Sequence, residues 1–586
     1  MTDESVRNAQ PTTPPEPARE TPPGQSQGAP ESRQSAGMPQ SRQSAGAPET
    51  RRSGGAPEGS GGGRRRVLGA RRAPRRILAD TLVRARRHGW FLGVLAVGAA
   101  LRVLAMLGYR PVLWFPDSYT YIVTVFHPRP DLVRPAGYSA FLRLLEPFHS
   151  FAVVAAAQHL LGLATGVLVY VAARRAIPWW SRRRAVSRRA ATGRAGSRRA
   201  GAGRPVPPWA AALAAAPVLL DAYQVELEHL LVSDTLFTFL LVTAVVLALG
   251  GRRRAVAIGL LLAAATLTRT VGQPLIVVVA VWFVLDGRLR RAAVMLAAAL
   301  IPLAAYGAWF HGTYQRTGLV GANGAFLYAR TMSFADCARM DPPADLRVLC
   351  DPRPPGRRPP SQEYLWAADS PLVELPGITF TKANDDLAAR FATLAIRSQP
   401  LDYAASVLSE LGRTFVWGRP VYPDQEIYGY YEFPAASPPP PGRWAAQLGV
   451  DLGRRYERGP IGTEVAEPYA GWMRAYQDAA RLPGTVVLVI LLAPPVAGAV
   501  RVLGRRRAAD GAVQVLRRGR SAGSAAGPRP PGGGPRRLPP WALPWSVAVV
   551  LLVVPPAVAE FDYRYVLPAV PLACLAAAVC ARSDQP

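Results

Sequence analysis

Four short polar motifs border the apolar stretches of this sequence, and their side chains can do chemistry at a membrane surface. The first, FPDSYTY at 115–121, places Asp117 among aromatic residues. A carboxylate in that setting can act as a general base toward a hydroxyl group or bind a cation. Pro-Asp-Ser is also a common way to begin a helix, so a structural Asp117 is the alternative.

Two further motifs carry arginines. Arg134 begins RPAGYSAFLRLLEP at 134–147, an amphipathic stretch suited to a membrane surface. Arg564 lies in EFDYRYVLP at 560–568, where the last apolar stretch begins. Either guanidinium group can bind a phosphate, or it can anchor its segment at the interface.

The fourth motif is a pair of opposite charges inside the apolar sequence. Asp234 lies within EHLLVSDTLF, and Arg269 lies in the turn TLTRT. An arginine there needs a counter-charge, which Asp234 or a lipid phosphate can supply. An ion pair that only joins two helices is an equally acceptable interpretation.

The elements that must position these motifs are apolar spans. The chain has 586 residues, 49% of them hydrophobic, and a net charge of +30. This combination is typical of apolar spans that alternate with charged loops. Ten candidate spans form an N-terminal membrane module at 89–310 and a C-terminal part at 483–586. They are 89–108, 151–173, 207–222, 230–250, 255–268, 271–286, 292–310, 483–501, 541–559 and 565–581.

Arginine density predicts the orientation. Residues 64–88 carry ten Arg, 174–206 eleven, and 501–540 ten, whereas 311–482 is near neutral with 18 basic and 19 acidic residues. If the spans alternate, every arginine-dense segment falls on one side, which the positive-inside rule makes cytoplasmic. We therefore expect a multi-pass protein of the cell membrane with both termini in the cytoplasm. Basic residues placed in this way do not indicate nucleic-acid binding.

The remaining segments differ in composition. Residues 1–63 contain nine-residue repeats such as GAPESRQSA and almost no large apolar side chains, which predicts a disordered tail. Residues 64–88 are a basic juxtamembrane segment. Residues 311–482 are large enough for an extracytoplasmic domain, for which we expect mixed helix and strand. Cys337 and Cys350 lie in it, and an oxidising compartment favours a disulfide between them.

The order of these motifs resembles that of the GT-C superfamily of membrane glycosyltransferases, in particular family-39-like enzymes such as protein O-mannosyltransferases and aminoarabinose transferases, which use polyprenyl-phosphate sugars. Five features match in order. They are an acid after the first span (Asp117), an Arg-Pro-x-Gly-Tyr stretch (Arg134, Pro135, Gly137, Tyr138), a Ser-acid-x-x-Phe-Thr start to a middle span (Ser233, Asp234, Phe237, Thr238), a Leu-Thr-Arg turn (Arg269) and Arg-Tyr-x-x-Pro near the C-terminus (Arg564, Tyr565, Pro568).

The resemblance implies a concrete fold and activity. The fold would be all-α and polytopic, with about 10 to 12 transmembrane helices. The enzyme would be an inverting hexosyl- or pentosyltransferase, moving sugar from a polyprenyl-phosphate donor to an extracytoplasmic glycan, lipid or protein. Asp117 would be catalytic. The substrate-binding residues would be Arg134, Tyr138, Asp234, Arg269, Arg564 and Tyr565.

The sequence assigns no cofactor. The resemblance leaves a divalent cation open, but no His/Cys cluster has metal-ligand spacing. His127 and His229 are isolated in the sequence, which predicts structural roles.

Two other functions remain open at this point. A transporter or lipid flippase would show internal span repeats or matching broken helices, and the sequence shows no such repeat. A non-catalytic membrane scaffold would leave Asp117, Arg269 and Arg564 apart from one another.

Overall fold

The computed structural model describes residues 88–175, 206–250, 254–439, 444–518 and 538–581, with side chains in 444–445 and 505–518 left aside. The described residues all belong to one compact unit, 73–586. The predicted disordered tail at 1–63 lies outside the described residues. So do the basic segment 64–88, except for His88, and most of the arginine-dense loops.

Ten predominantly apolar helices, one of them bent, coincide with the ten predicted spans. They are α1 (Gly89–Gly108), α4 (Phe151–Arg175), α5 and α6 (Pro208–Leu220 and Ala222–His229, the bent pair), α7 (Asp234–Leu249), α8 (Ala255–Thr268), α9 (Gly272–Leu285), α10 (Leu289–Tyr314), α19 (Gly484–Arg518), α20 (Ala542–Val558) and α21 (Val570–Ala581).

The other described elements are short or lie between these helices. They are β1 (Tyr109–Arg110), α2 (Pro116–Phe126), α3 (Gly137–Leu145), α11 (Asn323–Thr331), α12 (Cys337–Met340), α13 (Glu363–Trp366), α14 (Lys382–Ser398), α15 (Pro400–Arg413), α16 (Gln425–Gly429), α17 (Trp444–Glu457), β2 (Glu464–Val465), α18 (Tyr469–Ala479) and the 3₁₀ turns Glu146–Phe148, Arg347–Leu349, Pro355–Arg357, Tyr563–Tyr565 and Leu567–Ala569.

The apolar helices confirm a multi-pass membrane protein. Five are long and apolar enough to cross a bilayer, and the bent pair α5–α6 makes up to six. The other four, α7, α8, α9 and α20, are apolar but only 14 to 17 residues long, below the ~20 residues that a perpendicular span needs. The predicted total of 10 to 12 spans therefore stays a prediction, as does the orientation.

The bend between α5 and α6 has a local cause. Pro217 lies inside α5 and removes a backbone donor, and the helix axis turns by 48° at the break. Asp221 then caps α6, since its carboxylate accepts a hydrogen bond from the backbone N–H of Tyr223 at 3.3 Å. The break frees the carbonyl groups of Val218 and Leu219 to accept hydrogen bonds from a side chain.

One large apolar core joins all ten apolar helices, and buried side chains from each of them contribute to it. A second core joins α1 and α6 to α18 and to the aromatic residues Tyr431 and Phe433. The strands β1 and β2 pair antiparallel beside it, with Tyr109 opposite Val465. The long segment 311–482 is thus packed onto the ends of the spans, and we call this end of the bundle the loop side.

The predicted mixed helix and strand content of 311–482 is not found in its described residues, which form short helices joined by turns and irregular segments, with β2 as a strand of two residues. Buried apolar residues recur at helical spacing in α14, for example Ala388, Phe391 and Ala395. The predicted disulfide between Cys337 and Cys350 is present.

Candidate active site

Asp117 lies between two arginines from distant parts of the chain. One carboxylate oxygen accepts a short hydrogen bond from Arg134. The other lies 3.3 Å from Nη1 of Arg564. The three residues come from the start of α2, the loop before α3, and the turn before the last span, so the fold brings together three of the four predicted motifs.

The start of α2 fixes the position of Asp117. Pro116 is the first helical residue, where its missing N–H costs nothing. The Ser118 hydroxyl accepts a hydrogen bond from the backbone N–H of Phe115 at 3.0 Å and donates one to the carbonyl of Leu231 at 2.8 Å. The carboxylate thus sits in the first turn of a helix, where the helix dipole favours negative charge.

The surrounding charges keep Asp117 ionised. Burial alone would raise the pKa of its carboxyl, but the charges of Arg134 and Arg564 outweigh burial and hold the pKa well below its ordinary value. With both arginines in place, Asp117 is a carboxylate at neutral pH and a weak base. A ligand that draws the arginines away would make it more basic.

Two residues from the loop side orient Arg564. Asp562 Oδ2 lies 3.2 Å from Nε of Arg564 and accepts a hydrogen bond from the Tyr431 hydroxyl at 2.6 Å. The Phe115 ring packs under the guanidinium group of Arg564, whose central carbon lies 4.4 Å from the centroid of the ring. Tyr431 belongs to the 311–482 segment, so that segment helps to orient a residue of the candidate site.

Arg269 completes the cluster through a shared aromatic ring. Its guanidinium carbon lies 4.9 Å from the centroid of the Tyr565 ring, and that of Arg564 lies 5.2 Å from the same centroid. Arg269 forms an ion pair with Asp234. Burial, and then the like charge of Arg564, lower the pKa of Arg269. The two positive charges therefore repel each other across one tyrosine, which favours an anion between them.

The cluster is largely desolvated but still reachable. Between 11% and 18% of the side-chain surface of Asp117, Arg134, Arg269 and Arg564 is exposed, whereas Asp234 is fully buried. A groove of about 520 Å³ elsewhere in the molecule is apolar and lies away from the cluster. It is lined by Gly89, Trp90, Gly93, Val94, Val97 and Leu220.

Six of the seven predicted site residues converge, and Tyr138 does not. The Tyr138 side chain is buried, and its hydroxyl donates a hydrogen bond to Gln158 at 2.6 Å instead of facing the charged cluster. Its ring contacts that of Tyr121 edge-on. Sequence reasoning missed Tyr431, because nothing in its long aromatic loop distinguishes it from the neighbouring tyrosines.

A second charged cluster lies among the spans, and the sequence analysis did not find it. Arg102 of α1 makes two hydrogen bonds of 2.7 Å to the two carboxylate oxygens of Glu228. Its remaining N–H groups donate to the carbonyl groups of Gly98, Val218 and Leu219, the last two freed by the helix break. This buried arginine therefore holds the bend of α5–α6 against α1.

His229 is isolated in the sequence but not in the fold, and its predicted structural role stays a prediction. Its Nδ1 lies 3.1 Å from Nε2 of His159, whose Nδ1 lies 3.2 Å from Glu228. The other ring nitrogen of His229 lies 2.6 Å from the carbonyl oxygen of Tyr109. The two histidines are 70 residues apart, so only the fold reveals the pair.

Within the ranges that the structure describes, no three His, Cys, Asp or Glu side chains form a group that could hold a metal ion.

No protein family, curated protein or solved structure matches the chain.

The turn that leads into Arg564 is held by a pair of carboxyl groups. Glu560 accepts hydrogen bonds from the Tyr422 hydroxyl at 3.2 Å and from the backbone N–H groups of Ser361 and Gln362. The same hydroxyl lies 3.5 Å from Glu410. Burial, and then the charge of Glu410, raise the pKa of Glu560 to about 8.

This arrangement predicts a loss of stability at high pH. The folded protein holds a proton on Glu560 that the unfolded chain, with an ordinary pKa of 4.5, releases earlier. The stabilisation is complete below the ordinary pKa and is lost as the pH rises through about 8. We expect the melting temperature in detergent to fall between about pH 6 and about pH 9. Glu560→Gln should flatten this fall, whereas the exposed control Glu374→Gln should not. An equal fall in Glu560→Gln would contradict the assignment.

Proposed function

We propose that the chain is a multi-pass membrane glycosyltransferase that moves a sugar from a polyprenyl-phosphate donor to an acceptor hydroxyl at the extracytoplasmic face. The observation that carries the proposal is the convergence of Asp117 with Arg134, Arg564 and Arg269 from distant motifs. A scaffold gives no reason for this convergence. Arginine suits a phosphate because its planar donors match the phosphate oxygens.

In this proposal the arginines exchange a carboxylate for a phosphate. The donor phosphate draws Arg134 and Arg564 from Asp117, and Arg269 contributes a third positive charge. Without its arginines Asp117 has a higher pKa and becomes a better base. Substrate binding and activation of the base are thereby coupled through the same two guanidinium groups.

The chemical step is a single displacement. The acceptor oxygen attacks the anomeric carbon while the bond from that carbon to the phosphate oxygen breaks. The acceptor proton passes to Asp117, and polyprenyl phosphate leaves with the electron pair of the broken bond, stabilised by the arginines. Attack opposite the leaving group inverts the anomeric configuration. The acceptor is a glycan, a lipid or a protein, and the sugar is a hexose or a pentose.

The proposal also needs the loop side to face outward. If the spans alternate, the arginine-dense segments join the span ends opposite the loop side, which the positive-inside rule makes cytoplasmic. The donor's polyprenyl chain would lie in the bilayer beside the apolar helices, with its sugar phosphate at the loop side. Both chain termini would then be cytoplasmic.

A comparison of cell-envelope glycans tests this function. A strain that lacks the gene should lose one sugar from a glycan, glycolipid or glycoprotein of its envelope, and the wild-type gene should restore it. Composition and linkage analysis would detect the change. Identical glycans in the deletion strain and its parent would contradict the proposal.

A further inference from the structure

Two consecutive helices on the loop side expose opposite kinds of surface. The exposed side chains of α14 are mainly polar, and those of α15 and the segment after it are mainly apolar. The exposed positions in α14 include Lys382, Asp386, Arg390, Thr393 and Arg397; in the second stretch they include Leu401, Ala404, Ala405, Leu408, Gly412, Val416 and Trp417. The spacing of three or four residues puts the positions in α15 on one helix face.

Three polar side chains of α15 point the other way, into the protein, whereas Ser409 is exposed and Asp402 pairs with Arg339 at the surface. The Tyr403 hydroxyl donates a hydrogen bond to the carbonyl of Ala557 at 2.8 Å. Ser406 accepts one from the buried Arg330, and Glu410 accepts one from the backbone N–H of Phe561 at 2.9 Å. Helix α15 therefore buries three polar side chains and exposes most of its apolar ones, whereas a helix in water usually does the reverse.

The exposed face of α15 is large. Leu401 is 83% exposed, Leu408 66% and Trp417 70%. Single exposed apolar residues are ordinary, but a contiguous apolar face on one helix marks a contact with something apolar.

This face continues into the surface of the membrane helices. The N–H of Gly484, the first residue of α19, donates a hydrogen bond to the carbonyl of Val416 at 3.1 Å. Helix α19 is the least buried of the long candidate spans, with 17% of its apolar window buried. Val558, the last residue of α20, is also exposed and adjoins the Ala557 contact of Tyr403. The apolar face of α15 thus adjoins the loop-side ends of two apolar helices.

We propose that α15 and residues 414–417 are a membrane-surface element whose apolar face inserts into the bilayer interface beside α19 and α20. Leucine side chains would enter the acyl region, and Trp417 would lie at the headgroup level, where tryptophan is favoured. The inner face of the same helix binds Phe561, three residues before Arg564. The element therefore fixes the turn before the last span relative to the lipid surface.

Spin-label accessibility tests this proposal. The full-length chain is labelled with a nitroxide at Leu408→Cys and placed in phosphatidylcholine–phosphatidylglycerol nanodiscs. The matched control carries the same label at Thr393→Cys, in the preceding helix α14. The chain's four cysteines do not compete for the label, since two form the disulfide and two are buried. Collision rates with oxygen report contact with lipid, and those with a water-soluble nickel chelate report contact with water.

We expect the ratio of oxygen to nickel collision rates to be several-fold higher at position 408 than at position 393. Equal ratios would place α15 in water and overturn the proposal. Protection of position 408 from both reagents would also overturn it, since a protein partner or a second copy of the chain would then cover the face.

Discussion

Asp117→Asn is expected to lower the rate of sugar transfer by about 10²–10⁴-fold, the usual contribution of a positioned general base. Asparagine has nearly the same shape and still accepts hydrogen bonds from Arg134 and Arg564, but it cannot take the acceptor proton. When the donor phosphate then draws these arginines away, the acceptor is left without a base. The rate is measured as restored glycan product in the deletion strain.

The matched control for this variant is Asp451→Asn. Asp451 is an exposed carboxylate of α17, the helix that packs on α2, and it pairs only weakly with Arg454 at 3.2 Å on the surface. We expect this control to transfer sugar at the wild-type rate. Wild-type product with Asp117→Asn at a normal protein level would remove Asp117 from the mechanism.

Glu228→Gln is expected to destabilise the protein by about 3–5 kcal/mol, the usual cost of breaking a buried ion pair by removing one partner. Arg102 is 2% exposed and Glu228 is fully buried, so glutamine leaves a positive charge among the spans without its counter-charge. The charge would remain next to the carbonyl groups of α5, which cannot neutralise it. Titration with sodium dodecyl sulfate in mixed micelles measures the free energy of unfolding.

The same chemical change at the exposed Glu374 is the control, and it should alter the free energy of unfolding by less than about 0.5 kcal/mol. A change as small as this in Glu228→Gln would show that the ion pair does not stabilise the bend between α5 and α6. Because Arg102 and Glu228 contribute no side chain to the charged cluster at Asp117, this result would leave the proposed function untouched.

The sequence predicted the membrane helices and most of the candidate site for physical reasons. Apolar composition alone predicts where the spans lie, since a lipid-facing segment can contain few polar groups. Arg269 and Arg564 stood out because they interrupt or border apolar sequence on the arginine-poor side. Contacts between these motifs were not predictable, because each of them joins segments far apart in the chain.

The features that the sequence did not reveal have identifiable causes. Tyr138 was assigned from a motif, and motif position does not reveal which way a side chain points; its hydroxyl bonds Gln158, and its substrate-binding role stays a prediction. His229 was judged alone, since His159 is distant in sequence and near only after folding. Arg102 was hidden in the first span, because one arginine hardly lowers the mean hydropathy of twenty apolar residues, although its position inside the membrane was the available signal.

Binding of a lipid phosphate tests the central claim most directly. Native mass spectrometry of the protein with polyprenyl phosphate should show a complex that the uncharged polyprenol does not form. Arg564→Gln should weaken it by roughly tenfold or more, the cost of losing a hydrogen bond to a charged group. The exposed control Arg454→Gln should bind as the wild type does, and each variant is measured below its own melting temperature. Equal binding of phosphate and alcohol, or unchanged binding in Arg564→Gln, would contradict a lipid-phosphate site at this cluster.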